Sequence, residues 1–257
     1  MKNQKNIDGI ISLLRQFAKL YSIDSIFFAG EYCRSLVLKG TEQINYMDVV
    51  SAYQNDAIKL CGFFSSEFLH QSPTYYHKTG TAQVTYNGIK IEFQNGSMHR
   101  YMHNDDVKEW MRKNRIENTP LINNIYGRDF TINSLVFSIK TGELYDLTKR
   151  ATEHIEKKII STILPSEIAI KYNPIIILRA IRFLCQYDFF IAPELRAEMK
   201  TNIDKLTKNY SKERITQEIE KILKINTKEG LVQFKKYGLT RFITREQISN
   251  YISVKEK

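Results

Sequence analysis

From Ile7 to Tyr21 the apolar residues Ile10, Ile11, Leu14, Phe17, Ala18 and Tyr21 recur at helical spacing, which predicts an opening helix with Asp8 as its cap. Ser25 to Gly30 is a short apolar run that ends in glycine, and a helical pattern resumes from Glu31 to Lys39. A second strand is predicted over Tyr46 to Tyr53, rich in valine and aromatic side chains, ahead of a helix from Asp56 to about Phe64. Thr81 to Tyr86 and Ile89 to Gln94 flank Asn87-Gly88, whose readiness for positive φ predicts a two-residue hairpin. Between Ser97 and Tyr126 the periodicity loosens, so this stretch reads as a mobile connection with one short helix capped by Asp105-Asp106. Phe130 to Ile139 is the next strand, and Thr141-Gly142 turns it into Glu143 to Leu147. Beyond Arg150 strand signals fade, and helices are expected over Pro174–Tyr187, Pro193–Leu206, Lys212–Leu223 and the segment from Lys228 to Lys257. The pattern gives an α+β class: a head with a small mixed sheet over residues 1–150, then an all-helical neck over 151–257.

Composition narrows the classes. Apolar residues make up 42% of the 257 residues, enough for a core, and no apolar run reaches the roughly eighteen residues of a membrane span. The charged N-terminal stretch is unlike a secretory signal, so an intracellular protein of the cytoplasm or an organelle matrix is expected. Cys33, Cys61 and Cys185 are widely spaced and odd in number, which points to reduced core thiols rather than a disulfide frame or zinc site. His99 and His103 have helical spacing but no accompanying third ligand. The net charge of +10 suits a polyanionic partner, because each lysine or arginine that neutralises a phosphate releases a counterion. An abundance of lysine, isoleucine and asparagine from an AT-rich genome would give the same bias. Arg179 and Arg182 stand three apart on one helix face, which marks them as candidate RNA-phosphate contacts. Lys205, Lys208 and Lys212 read as a solvated face.

The chemistry concentrates in five stretches: Ala29-Gly30-Glu31-Tyr32-Cys33-Arg34, Tyr46-Met47-Asp48-Val49-Val50, Ile91-Glu92-Phe93, Gly127-Arg128-Asp129-Phe130-Thr131-Ile132-Asn133, and Leu178-Arg179-Ala180-Ile181-Arg182-Phe183. In this order they resemble the class II tRNA nucleotidyltransferase (CCA-adding enzyme) and bacterial poly(A) polymerase family, over roughly Phe27 to Leu223. The resemblance implies a polymerase β-like head in which Gly30, Arg34, Arg128 and Asp129 bind the incoming nucleotide. It also implies Mg²⁺ held by an Asp-x-Asp strand and a third acid if the centre is active. Hard cations of this kind need carboxylate oxygens to place the attacking hydroxyl and the leaving pyrophosphate.

The departures from the family pattern are specific. Tyr46 stands where the first metal-binding aspartate belongs, so Asp48 and Glu92 remain as a remnant catalytic pair, with Asp48 the remaining metal ligand. Ser35 replaces the acid after Arg34, and Gly127 replaces the first arginine of the Arg-Arg-Asp signature. Tyr172-Asn173-Pro174-Ile175-Ile176 lies where the family carries the Asp and Arg that read the base edge. The family's further body and tail are largely missing from a chain of this length. Loss at the metal strand and at the base-reading helix, beside an intact apolar signature, favours a catalytically impaired protein that binds tRNA or the RNA of a larger complex. Two other readings stand beside it: an active enzyme adding AMP or CMP to RNA 3′ ends, with Glu31 or Asp129 completing the site, and a protein-interaction subunit docking through its C-terminal helices.

Overall fold

The computed structural model describes residues 2–38, 43–53, 56–95 and 100–244. The chain divides into two compact units, Met1–Ile155 and Glu156–Lys257. The first unit runs α1 (Lys2–Leu20), β1 (Ile26–Ala29), α2 (Glu31–Val37), β2 (Tyr46–Ser51), α3 (Ala57–Phe64), β3 (Thr74–Tyr76), β4 (Thr81–Tyr86), β5 (Ile89–Gln94), α4 (Asp105–Lys113), α5 (Pro120–Tyr126), β6 (Leu135–Ser138), β7 (Leu144–Asp146) and, at its end, α6 (Ala151–Glu156). Its strands form one mixed sheet in the order β3-β4-β5-β2-β1-β6-β7. The β2–β5 pair is parallel and its other pairs are antiparallel.

Alternation along the strands separates two faces. Met47, Val49, Ile91, Phe93, Ala82, Val84 and Phe28 are buried, and Phe64 of α3 meets Phe93 and Phe17 of α1 at ring separations of 5.7 and 5.5 Å. The opposite face carries Tyr46, Asp48, Lys90, Glu92 and Gln83. α5 covers the β1–β6 side of that face with a cluster of Ala29, Val50, Ile125 and Val136. On the polar half, over β4, β5 and the start of β2, Lys90 and Thr85 are exposed while Tyr46, Asp48, Gln83 and Glu92 are half-buried.

The pattern locates most elements, with corrections. Asn87 and Gly88 take φ of 47° and 84°, the left-handed pair that the hairpin requires. Asp8 is not the cap of α1, which begins at Lys2; its carboxylate instead accepts from Gln4 one turn earlier. Asn104, not Asp105, precedes α4. The stretch read as a mobile connection holds both α4 and α5, the latter capped by Thr119, whose hydroxyl accepts from Ile122 N. The strand expected from Phe130 starts only at Leu135, because Thr131–Asn133 closes a 3₁₀ turn. Lys39, His99 and residues 245–257 lie outside the described residues, and with them the histidine pair and the end of the final helical segment.

The second unit contains β8 (Ile159–Ile160), α7 (Ser166–Tyr172), α8 (Ile176–Tyr187), β9 (Phe190–Ile191), α9 (Pro193–Thr201), α10 (Asp204–Asn209) and α11 (Lys212–Lys236). The helix expected over Pro193–Leu206 is two, α9 and α10, and α11 continues well past Leu223. A break at Asn226 interrupts it, where the Asn226 side chain accepts from Glu229 N and so restarts the helix as a cap.

The cysteines are free, Cys33 and Cys61 buried and Cys185 half-buried. Burial pushes the Cys61 and Cys185 thiols up to about 11 and about 12, and Cys33 higher still. A disulfide-exchange reagent at pH 8 is therefore expected to leave Cys33 and Cys61 unmodified until denaturant is added. Their rapid reaction in the native protein would contradict this burial.

Candidate functional site

β2 and β5 lie parallel in register, so Asp48 stands beside Glu92, and Tyr46 beside Lys90. The Asp48 carboxylate is occupied on both oxygens: Oδ1 accepts from Gln94 Nε2 at 3.0 Å, and Oδ2 accepts from Arg128 Nη1 at 3.0 Å. Gln94 Nε2 also donates to Glu92 Oε2 at 2.8 Å, tying the two acids together through one amide. Arg128 is held from all sides, with Nη2 on Gln94 Oε1 at 3.1 Å and both Nε and Nη2 on Asn124 Oδ1 at 3.2 Å. Asn124 is wholly buried one helical turn before Arg128, and its amide donates to Asn95 O, which locks α5 to the end of β5.

The side chains of Arg128 and Asp48 are 9% and 15% exposed. Burial raises the Asp48 carboxyl above the ordinary carboxylate range, and the guanidinium only partly offsets that. Tyr46 donates to Glu92, and burial, reinforced by this bond and by the charges of Glu92 and Asp48, holds its phenol above the usual value, hence neutral. Gly30 fits between strand and helix only as glycine. At φ of +67°, a Cβ there would stand 2.7 Å from Asp48 Oδ2 and 3.0 Å from Arg128 Nη1.

Arg34 and Asp129 form a separate, interior group. Both are buried, and both bond Asn133: Arg34 donates to its Oδ1, while its Nδ2 donates to Asp129 Oδ1 at 2.7 Å. Asp129 also accepts from Phe130 N at 2.8 Å, so its carboxylate organises the 3₁₀ turn. In the second unit, Arg182 lies 3.4 Å from Glu218 and 4.5 Å from the Phe183 ring, and Arg179 is half-buried on the same helix. Asn173 accepts from the Tyr210 hydroxyl at 2.7 Å. Asp146 accepts from Thr148 and from Thr152 N, which caps α6.

These contacts decide what a divalent ion would meet. Asp48 and Glu92 are adjacent, but among the described residues no group of three or more acid, histidine or cysteine side chains is placed to hold a metal. A guanidinium occupies one Asp48 oxygen, and a neutral phenol donates to Glu92 where an anionic ligand is needed. The donor set does not fit a two-ion centre.

The sheet with its acidic rung, followed by helices, defines a nucleotidyltransferase-type head joined to a helical unit. Residues 26–161 match the model of the poly A polymerase head domain, and residues 188–250 match that of a probable RNA and SrmB-binding site of polymerase A. The first match alone spans more than half of the chain, which therefore belongs to the tRNA nucleotidyltransferase and poly(A) polymerase family. The tRNA nucleotidyltransferase cca2 of Schizosaccharomyces pombe is 36% identical over 99 residues, covering 38% of this chain and 20% of that protein. The cca1 enzyme of the same organism is 30% identical over 165 residues, covering 63% and 31%. A Thermotoga maritima CCA-adding enzyme complexed with tRNA superposes with a TM-score of 0.71 at 21% identity, over 92% of this chain and 52% of that one. A CCA-adding enzyme with ATP gives 0.70 over the same shares. The chain thus spans about half the length of these solved structures and matches a third or less of the curated relatives.

Proposed function

We propose that this chain is an RNA-binding member of its family in which nucleotidyl transfer is lost or severely impaired. The carrying observation is the state of the acidic rung. Asp48 is the one acid on β2, Arg128 and Gln94 take both its oxygens, and Tyr46 fills the neighbouring position. Nucleotidyl transfer depends on positioning and electrostatic stabilisation by metal ions, and a missing ligand removes most of that. Asn173 and Ile176 leave base selection without its charged pair.

The net charge of +10, the match to an RNA-binding region over residues 188–250, and a tRNA-bound structural neighbour support polynucleotide as the partner, with tRNA the first candidate. The test uses purified chain, labelled ATP or CTP, Mg²⁺ or Mn²⁺, and tRNA lacking its 3′ end. No extension is expected, while tRNA binding persists in a chelator. That binding should weaken about 100-fold between about 50 and about 200 mM salt, the loss for roughly four neutralised phosphates. Extension that disappears in Asp48→Ala would overturn the impaired reading, and absence of salt-dependent RNA binding would overturn the RNA reading.

A further inference from the structure

A cavity of about 340 Å³ opens in the second unit between the end of α10, the first turns of α11 and the 3₁₀ turn Thr240–Phe242. Its size falls at the lower end of the range for small-ligand sites. Ile215 is a buried apolar floor, the rings of Tyr210 and Phe242 line it, Thr216 adds a hydroxyl, and Lys212 and Arg241 bring two cations to the rim. The Tyr210 ring is held in place by its hydroxyl bond to Asn173. The Arg241 guanidinium lies 5.0 Å from the centre of the Phe242 ring, so a cation and an aromatic face are presented together. Arg241 also pairs with Asp204, but both side chains are more than half exposed, and such a pair opens toward a competing anion at little cost.

We infer that this cavity is a nucleotide subsite: a nucleobase enters against Phe242 and Tyr210, and its phosphate rests on Lys212 and Arg241. Aromatic faces stack any base, and paired cations at the mouth match the phosphate that must follow it. Neither the acidic rung of β2 nor the helix bearing Arg179 and Arg182 contributes to it. The inference deepens the RNA-binding reading and rests on it for the source of the nucleotide. The same chemistry also accepts a free mononucleotide, and the two sources separate experimentally.

Equilibrium titration of the full chain with AMP, adenosine, inorganic phosphate and a short single-stranded RNA tests it, using wild type, Phe242→Ala and Arg241→Gln. AMP is expected to bind more tightly than adenosine or phosphate alone. Each substitution should weaken AMP binding about 5- to 100-fold, the range for one stacked base or one charged contact. The same loss with the RNA identifies a nucleotide of the strand, and a loss confined to AMP identifies a free nucleotide. An 8-azido-AMP label in unsubstituted protein should map to the peptides of Tyr210 or Phe242, which guards against variants that misfold. Phosphate binding as tight as AMP would overturn the inference, leaving a bare anion site. RNA binding unchanged by both substitutions, with no AMP binding, would also overturn it while sparing the RNA reading. No binding of either ligand by wild type would overturn both.

Discussion

Arg128→Ala is expected to destabilise the first unit by about 3–5 kcal/mol, the usual consequence of stranding one member of a buried ion pair. For a domain of this size that corresponds to a fall of about 6 to 20 °C in the thermal midpoint. The guanidinium satisfies Asp48, Gln94 and Asn124 at once, so its removal leaves three polar side chains facing a void. Trp110 is the chain's single tryptophan and lies in α4 of the same unit, 6.3 Å ring to ring from Tyr126 of α5. Its fluorescence is therefore the direct probe of this transition.

The pH dependence gives the loss a signature that a mere packing defect lacks. The folded Asp48 carboxyl already titrates above its unfolded value because of burial, so Asp48 favours the folded state less as pH rises through that window. Without Arg128 the folded value climbs further. The gap between wild type and variant should be small in acid, where Asp48 is protonated in both. It should widen as pH rises past the wild-type value and level off once the variant's carboxyl has ionised. Asp48→Asn in the Arg128→Ala background should recover part of the stability at neutral pH, because a neutral amide needs no counter-charge. A gap of constant size from acid to neutral pH would show that shape, not charge, links the two residues.

Much of this fold is written locally. Ile10, Leu14 and Phe17 recur at a period that only a helix turns to one side, and Asn87-Gly88 leaves a hairpin little choice. β3 is not legible in the sequence, because Thr74, Tyr75 and Tyr76 are all exposed on a sheet edge and show no alternation. The run after Asp129 is apolar enough for a strand, yet the Asp129 carboxylate captures Phe130 N and the Asn133 amide and bends it into a turn first. The residues of the acidic rung are recognisable in the sequence, but its state is not. Arg128 and Asp48 are separated by 80 positions, and no periodicity shows that a guanidinium expected on substrate phosphates lies instead on that carboxylate. Gln94 and Asn124 carry no sequence signal for the same reason, although Gln94 lies two residues beyond Glu92 on one strand face and Asn124 one helical turn before Arg128. Each signal is intelligible only once the partner is known.

Glu218 is the comparable point in the second unit, and Glu218→Ala is expected to remove about 3–5 kcal/mol there. The residue is 1% exposed on α11. One oxygen receives Lys221 Nζ at 2.8 Å with Arg214 at 3.8 Å, and the other faces Arg182 Nε of α8 at 3.4 Å. Lys221 and Arg214 are 54% and 43% exposed, so solvent screens their share, whereas Arg182 is 18% exposed and its pairing is screened less. Burial by itself would raise the Glu218 carboxyl, but the lysine bond and the charges of Arg182, Lys221 and Arg179 hold it below the ordinary carboxylate range. A carboxyl depressed by folding stabilises the folded state above its unfolded value, and that contribution fades as pH falls through the lower folded value. Wild type should therefore lose stability in acid more steeply than Glu218→Gln, and the two should converge there. Far-UV circular dichroism should register the Glu218→Ala loss more strongly than Trp110 fluorescence, since the affected helices lie in the second unit. If the alanine variant unfolds at the wild-type midpoint, the α8–α11 contact rests on Ile181, Ile219, Ile222 and their apolar neighbours, and the buried charges only set which residues face each other.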